Sequence, residues 1–293
     1  MKNLTINLHV TEACNLSCDY CFAHWSVNNE IFRNESRFLK FIEFLDQQSR
    51  QSLGIEKLTI NFAGGEPALL KHLDKGAELC HELGIRTSII TNGLLFRRFS
   101  SEEISVLFDT VGVSIDSFNQ STNATIGRIS SAGKSFDYEA IIDSLRILKT
   151  KFGTKTKVNT VVSNHNFNED LSKKIASADI DRWKIFQLLP VNLQQEVSKE
   201  RFDSFVDINS SFDSPVVEDN EDMMKSYVMV NSNGDLYQSD RVDGEIKYRY
   251  FDLKTGSLFE GLRHVGIDFG KYRKRYTIPP SFQEFEAQVG AGL

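Results

Sequence analysis

Apolar residues along this chain gather in short runs rich in β-branched and aromatic side chains, separated by longer stretches in which they recur every three or four positions. The runs predict strands at Leu4–Val10, Lys57–Phe62, Arg86–Thr91, Thr110–Ile115, Lys157–Val162 and Lys184–Leu189. Most are apolar on both faces, the pattern of parallel strands covered on two sides. The intervening stretches predict helices near Glu35–Arg50, Ala68–Leu83, Ser101–Leu107, Tyr138–Phe152 and Asn168–Ala178. Two starts are explicit: Ser101 precedes acidic residues, and Asn168 precedes Glu169 and Asp170, placing negative charge where a helix dipole is positive. Six strand–helix units in series predict an α/β fold with a parallel sheet.

From about residue 191 the rhythm changes. Ser198–Ile208 has helical spacing. Lys225–Val230 and Asp235–Gln238, joined by Asn231-Ser232-Asn233-Gly234, read as a hairpin. Tyr248–Leu253 with Thr255-Gly256 gives another strand and turn. A basic and aromatic stretch follows, then a polar, Gly-containing tail expected to be disordered. The expected division is residues 1–190 as the α/β part and 191–293 as an extension packed on it.

Composition narrows the classes. A chain of 293 residues easily buries a core, as one large domain or one domain with an appendage. A net charge of −6 speaks against a dominant role in binding nucleic acid, while leaving room for a local basic pocket that takes one nucleotide. No apolar run approaches a membrane span. The first strand begins within a few residues of Met1, so neither a signal peptide nor an amphipathic anchor is expected there, and the location expected is cytoplasmic. Cys80, at helical spacing, reads as a core thiol.

The other three cysteines carry the chemistry. Cys14, Cys18 and Cys21 stand in a CxxxCxxC string, with Tyr20 just before the last. Three thiolates can hold three corners of a [4Fe–4S] cluster and leave one iron open to a ligand. With His24 the same residues also read as a Cys₃His zinc set. Loops after the later strands add polar groups. Gly64-Gly65-Glu66-Pro67 follows the second strand; it is a turn former, or a backbone edge open to a zwitterion. Thr91 and Asn92 end the third strand and suit either a turn or a carboxylate or ribose. Ser114 and Asp116 end the fourth, where Asp116 reads equally as a helix N-cap. Arg128 can pair bidentately with a carboxylate or stay solvated.

CxxxCxxC followed one strand–helix unit later by GGEP resembles the radical S-adenosylmethionine (SAM) enzymes. That resemblance implies a partial (β/α)6 barrel, a [4Fe–4S] cluster on Cys14, Cys18 and Cys21, and SAM as cosubstrate on the open iron. Tyr20, Gly64, Gly65, Glu66, Thr91, Asn92, Ser114, Asp116 and Arg128 would then bind the cofactors. A narrower likeness covers about residues 4–275. Asn61-Phe62-Ala63-Gly64-Gly65-Glu66-Pro67, Asp116-Ser117-Phe118, Ile126-Gly127-Arg128, Lys157-Val158-Asn159, Arg182-Trp183-Lys184-Ile185-Phe186-Gln187 and Lys225-Ser226-Tyr227 are similar in order and spacing to the viperin-like enzymes. Those convert a ribonucleoside triphosphate to its 3′-deoxy-3′,4′-didehydro form, a terminator of RNA synthesis in antiviral defence.

On that resemblance Asn61, Lys157, Asn159, Lys184 and Arg275 would bind substrate, and Tyr227 would return a hydrogen atom to it. Lys157 and Asn159 project to one side of a strand, and a lysine facing a barrel interior needs an anion such as a triphosphate. By themselves the lysines also read as strand-edge charges, Tyr227 as packing, and Arg275 as part of a solvated basic run. His165, after the fifth strand, is a further candidate. Ala63 departs from the vertebrate pattern, which has serine there. Residues 190–222 match poorly, so the preferred base (cytosine, uracil or guanine) stays open. The implied partners are the nucleotide and an electron donor such as a flavodoxin or ferredoxin, with no nucleic acid and no membrane, in a monomer. The competing functions are another radical SAM reaction on a different small molecule, a non-catalytic nucleotide-binding or zinc-stabilised module, and a SAM-binding redox sensor.

Overall fold

The computed structural model describes residues 3–23, 30–130, 133–191 and 196–276. His24 and the tail beyond residue 276 lie outside them. Ten strands are formed among the described residues: β1 (Asn3–His9), β2 (Lys57–Ala63), β3 (Arg86–Thr91), β4 (Thr110–Ser114), β5 (Lys155–Val162), β6 (Arg182–Gln187), β7 (Val216–Glu218), β8 (Val228–Val230), β9 (Asp235–Val242) and β10 (Glu245–Asp252). The chain folds into two compact units interleaved in sequence. One holds residues 1–12, 25–88 and 222–293; the other holds 13–24 and 89–221. The chain passes between them inside β3.

In the first unit the strands run in the order β10-β9-β8-β1-β2. β1 lies parallel to β2 and to β8, whereas β8, β9 and β10 pair antiparallel. Leu4, Ile6 and Leu8 of β1 and Leu58, Ile60 and Phe62 of β2 are buried. The helix Glu35–Gln47 buries Phe38, Phe41, Ile42 and Leu45, one stripe at helical spacing. Asn34 caps it by accepting from the Arg37 amide at 3.0 Å. Each such side chain contributes roughly 1.5–3 kcal/mol of hydrophobic stabilisation.

In the second unit the order is β4-β5-β6-β7, parallel throughout. Helix Tyr138–Phe152 buries Tyr138, Ile141, Ile142, Leu145 and Leu148 and ends at Gly153 in the left-handed region. Trp183 is wholly buried, its indole donating to Thr160 Oγ1 at 2.9 Å and its ring set edge-on to Phe205 and Phe212. β5 and β6 each alternate between a buried face and a more open one, on which Lys155, Lys157, Asn159, Arg182 and Lys184 stand.

The six strands predicted through β6 are present with ends shifted by at most two residues, the strand predicted from Tyr248 begins three residues earlier at Glu245, and helices Ser101–Leu107 and Tyr138–Phe152 match their expected bounds. Other expectations differ, the Glu35–Arg50 helix among them, which ends at Gln47. The expected Ala68–Leu83 helix is a short turn, Pro67–Leu69, followed by a helix over Leu73–Glu82. The cap of Ser101–Leu107 is Ser100, in a capping box with Glu103. The helix expected from Asn168 begins only at Ser172, because Asn209 Oδ1 accepts from the Leu171 and Ser172 amides at 2.7 and 3.0 Å and fixes the start there. The first strand of the hairpin is only Val228–Val230, shorter than expected, while the second runs on past its apolar pattern to Val242, since its later residues are polar. Helices Leu258–Val265 and Phe269–Tyr276 lie in the stretch read only as basic and aromatic.

Candidate functional site

The cysteine loop belongs to the second unit. Cys14 is exposed, and Cys18 and Cys21 are half-buried. Cys14 Sγ accepts from the Leu16 amide at 3.4 Å and from Asn92 Nδ2 at 3.5 Å, while Asn92 also donates to Asn15 Oδ1 at 2.9 Å. Thr91, the last residue of β3, turns inward: its Oγ1 accepts from the Gly93 and Leu95 amides. Asn92 therefore touches the cysteine loop, and Thr91 shapes the turn that delivers it.

Beneath the loop lies a buried charge network. Asp116 is 1% exposed and Arg128 4%. Arg128 Nη1 stands 2.8 Å from Asp116 Oδ2, its Nη2 donates to Ser114 O at 2.6 Å, and its Nε donates to Tyr138 Oη at 3.3 Å. Tyr20, inside the cysteine string, donates its phenol proton to Asp116 Oδ2. Burial and then the Asp116 charge push that phenol well above its usual range, so it remains a donor. Asp116 Oδ1 accepts from the Val161 amide at 2.7 Å, and its carbonyl accepts from Asn166 Nδ2 at 2.7 Å. Four residues expected to meet cofactor, Tyr20, Ser114, Asp116 and Arg128, are thus joined to one another. Buried Asn166 was not anticipated, although Asn next to a strand end is a common sequence signal for such a bracket. His165 beside it is exposed.

A cluster would fit this donor set. Three soft thiols suit iron–sulfur ligation, and they act on one another electrostatically. Burial pushes the Cys18 thiol up to about 12, with Arg128 drawing it down and Asp116, Cys21 and Cys14 pushing it up. A bound cationic centre would be needed to hold it as thiolate. Among the described residues no three His, Cys, Asp or Glu side chains are grouped around a single-ion site.

The sheet of the same unit aligns the polar substrate candidates. Ser114, Asn159 and Lys184 are register partners across β4, β5 and β6, and Gly112, Lys157 and Arg182 form the next such row. Residues two apart share a face, so Lys157, Asn159, Arg182 and Lys184 stand on one surface. Burial, then the charges of Lys184 and Arg182, push the Lys157 ammonium down to about 7. The Lys157 stem lies over Gly112, where an added Cβ would come within 2.5 Å of Lys157 Cε. Lys184 pairs with Glu218 of β7 at 2.7 Å, both side chains nearly buried. Glu218 was missed, because it sits in the poorly matching stretch and on a three-residue strand. Asn159 Oδ1 is buried without a hydrogen-bond partner.

The remaining candidates belong to the first unit. Gly64 has φ of +130°, and a Cβ there would stand 2.5 Å from Thr11 O, which accepts from the Gly65 amide at 2.7 Å. Glycine is required by this close approach. Glu66 is buried and accepts from the Ala68 amide at 3.1 Å. Asn61 donates to Asn7 Oδ1 at 2.7 Å, and its own Oδ1 is buried without a partner. Tyr227 and Arg275 are in contact: the guanidinium carbon lies 3.7 Å from the ring centroid and Nη1 donates to the phenol oxygen. Arg275 Nη2 also reaches Asp222 O and Ser226 Oγ. A second unanticipated feature is His9, buried, pushed down to about 3 by burial, with Nδ1 2.5 Å from Tyr237 Oη.

The profile of the Radical SAM superfamily matches residues 8–175. A protein of Fibrobacter sp. (strain UWH6) named S-adenosylmethionine-dependent nucleotide dehydratase is 33% identical, over 94% of this chain and 89% of its own. One of the same name from Pseudoalteromonas ulvae is 34% identical, over 94% of each. The S-adenosylmethionine-dependent nucleotide dehydratase RSAD2 of Oncorhynchus mykiss is 28% identical over 78% of this chain and 67% of its own. Among solved structures, anSMEcpe with bound AdoMet matches with TM-score 0.64 at 16% identity, covering 98% of this chain and 87% of that one. Streptococcus suis SuiB bound to S-adenosylmethionine matches with TM-score 0.63 at 19% identity, covering 94% and 68%. At those identities the structural likeness is one of fold, the α/β partial barrel.

Proposed function

The chain belongs to the radical SAM superfamily and within it to the S-adenosylmethionine-dependent nucleotide dehydratases, and from that premise we propose that it dehydrates a ribonucleoside triphosphate, CTP, UTP or GTP, to the 3′-deoxy-3′,4′-didehydro analogue. The observation that carries the reading is likeness to such dehydratases along 94% of the chain, in which the CxxxCxxC cysteines are all present. Cys14, Cys18 and Cys21 would hold a [4Fe–4S] cluster. When bound, the cluster and SAM supply a 5′-deoxyadenosyl radical that removes the ribose 4′ hydrogen.

The chain's own groups then have these tasks. The Gly64-Gly65-Glu66 turn, Thr91 and Asn92, and the Ser114, Asp116, Arg128 and Tyr20 network bind or brace the cofactors. Lys157, Asn159 and Lys184, on one face of β5 and β6, receive the triphosphate, whose charge would restore the Lys157 ammonium. Asn61 contacts the nucleotide. Arg275 binds phosphate, and Tyr227 supplies the equivalent of a hydrogen atom, its electron going to the substrate radical and its proton to the 3′-hydroxyl that leaves as water. Residues 1–190 act as the barrel and 191–293 as the extension that closes the nucleotide site. The product terminates RNA chains in defence against phage, in a cytoplasmic monomer fed electrons by a flavodoxin or ferredoxin. Among the described residues no helix is long and apolar enough to cross a membrane.

The protein is reconstituted without oxygen, reduced with dithionite, and given SAM with each ribonucleoside triphosphate in turn. Mass spectrometry is expected to find 5′-deoxyadenosine matched by one nucleotide lighter by a water. Equal 5′-deoxyadenosine with every nucleotide and with none would overturn the substrate assignment. A colourless protein that never cleaves SAM would overturn the cofactor assignment too.

A further inference from the structure

The string Ile126-Gly127-Arg128 has a role that its arginine does not exhaust. Helix Gln120–Thr125 stops here in a double bond: the Arg128 amide donates to Asn123 O at 2.8 Å and the Gly127 amide to Ala124 O at 3.2 Å. Gly127 takes φ of +75° to do so, as a helix-ending glycine does. The carbonyls freed by this turn face the cysteine loop. Gly127 O accepts from the Ser17 amide at 3.1 Å, and Ile126 O accepts from the Asp19 amide at 3.2 Å. These two bonds bracket Cys18. The approach is so close that a Cβ on Gly127 would stand 2.2 Å from Ser17 O and 3.2 Å from Cys18 Cα. Backbone atoms, not a flexible side chain, occupy that space. Next in the chain, Arg128 holds Asp116, which also accepts from Tyr20 on the far side of Cys18.

We infer that Ile126-Gly127-Arg128 is a backbone clamp on the cysteine loop, and that Gly127 is a positioning residue for the thiols that ligate the cluster. Ser17 and Asp19 are held by main-chain bonds and Tyr20 by a side-chain bond, so the loop is fixed on both sides of Cys18 by bonds that need no iron. Ordering the loop in advance removes part of the entropy cost of ligation. The purpose of the clamp rests on the cluster assignment, whereas its existence does not.

Gly127→Ala is compared with Gly153→Ala. Gly153 also ends a helix, at φ of +71°, but a Cβ there would meet nothing within 4 Å. Both variants bear the left-handed strain; only the first collides with the loop. Two quantities are read on the full-length chain, metal-free and loaded: amide hydrogen exchange at Ser17 and Asp19, and the rate of iron loss to a chelator. The expected result is at least tenfold faster exchange and tenfold faster iron loss in Gly127→Ala, with Gly153→Ala close to wild type. Equal behaviour of the two variants overturns the clamp. Should Gly127→Ala not fold, the wild-type chain decides: exchange at Ser17 and Asp19 slowed at least tenfold relative to an unstructured chain supports the clamp, and unprotected amides overturn it. Protected amides in a chain that never takes up iron would sink the cluster assignment and leave the clamp standing.

Discussion

Replacing Lys157 by methionine is expected to make the protein more stable below neutral pH while weakening its hold on a triphosphate. The ammonium is drawn down from its ordinary 10.5 to about 7, first by burial and then by Lys184 and Arg182. At about 1.4 kcal/mol per pH unit, that displacement corresponds to roughly 5 kcal/mol against the charged form in the folded state. The residue is only half-buried, so solvent screens part of this, and about 2–3 kcal/mol is expected to survive. Below pH 7 the folded and unfolded chains both carry the proton, and the folded state bears the whole cost. Between about 7 and 10.5 the unfolded chain keeps a proton that the folded one has released, so stability rises with pH. Methionine has a similar length and no proton to lose. Urea denaturation at pH 6, 8 and 10 should show Lys157→Met ahead by about 2–3 kcal/mol at pH 6, with the gap closing toward pH 10. Calorimetric titration with nucleoside triphosphate should show at least tenfold weaker binding. A variant less stable than wild type at pH 6, or a gap that does not change with pH, would show that Lys157 is not a buried charge held at a cost.

The Lys184–Glu218 pair should behave oppositely: Glu218→Gln takes a carboxylate from a nearly buried lysine and is expected to cost about 2–4 kcal/mol in urea denaturation, while Lys184→Met combined with Glu218→Gln recovers most of it. A double variant as unstable as the single one would contradict this. Tyr20→Phe removes the phenol bond to Asp116 and is expected to lower stability by about 1–2 kcal/mol; no loss would mean the network does not brace the loop. Gly64→Ala places a Cβ against Thr11 O at φ of +130° and should lower the thermal midpoint by several degrees, about 2–3 kcal/mol, with a wild-type midpoint counting against it. Tyr227→Phe should still cleave SAM but yield 5′-deoxyadenosine in at least fivefold excess over dehydrated nucleotide; tight coupling would remove Tyr227 as the hydrogen donor.

The alternation of strands and helices through β6 is readable from the residues alone. Apolar periodicity is a local signal, written by residues such as Leu4, Ile6 and Leu8 that must leave water wherever the chain goes. The family and its cofactors were also legible, since cysteine spacing and the GGEP turn are short strings whose meaning survives without coordinates. Contacts between residues far apart in the chain became visible only with folding. Asn209 moved a helix start by four residues, from Asn168 to Ser172, through a bond nearly forty residues away. Asp116, Arg128 and Tyr20 read singly as three cofactor contacts, and folding joined them into one buried network. Glu218 became the counter-ion of Lys184, and Gly127 became a close neighbour of Cys18, only once β6 met β7 and a helix end met the cysteine loop. Burial and pairing are properties of neighbours in space, and spacing along the chain fixes neighbours only within a turn or a strand.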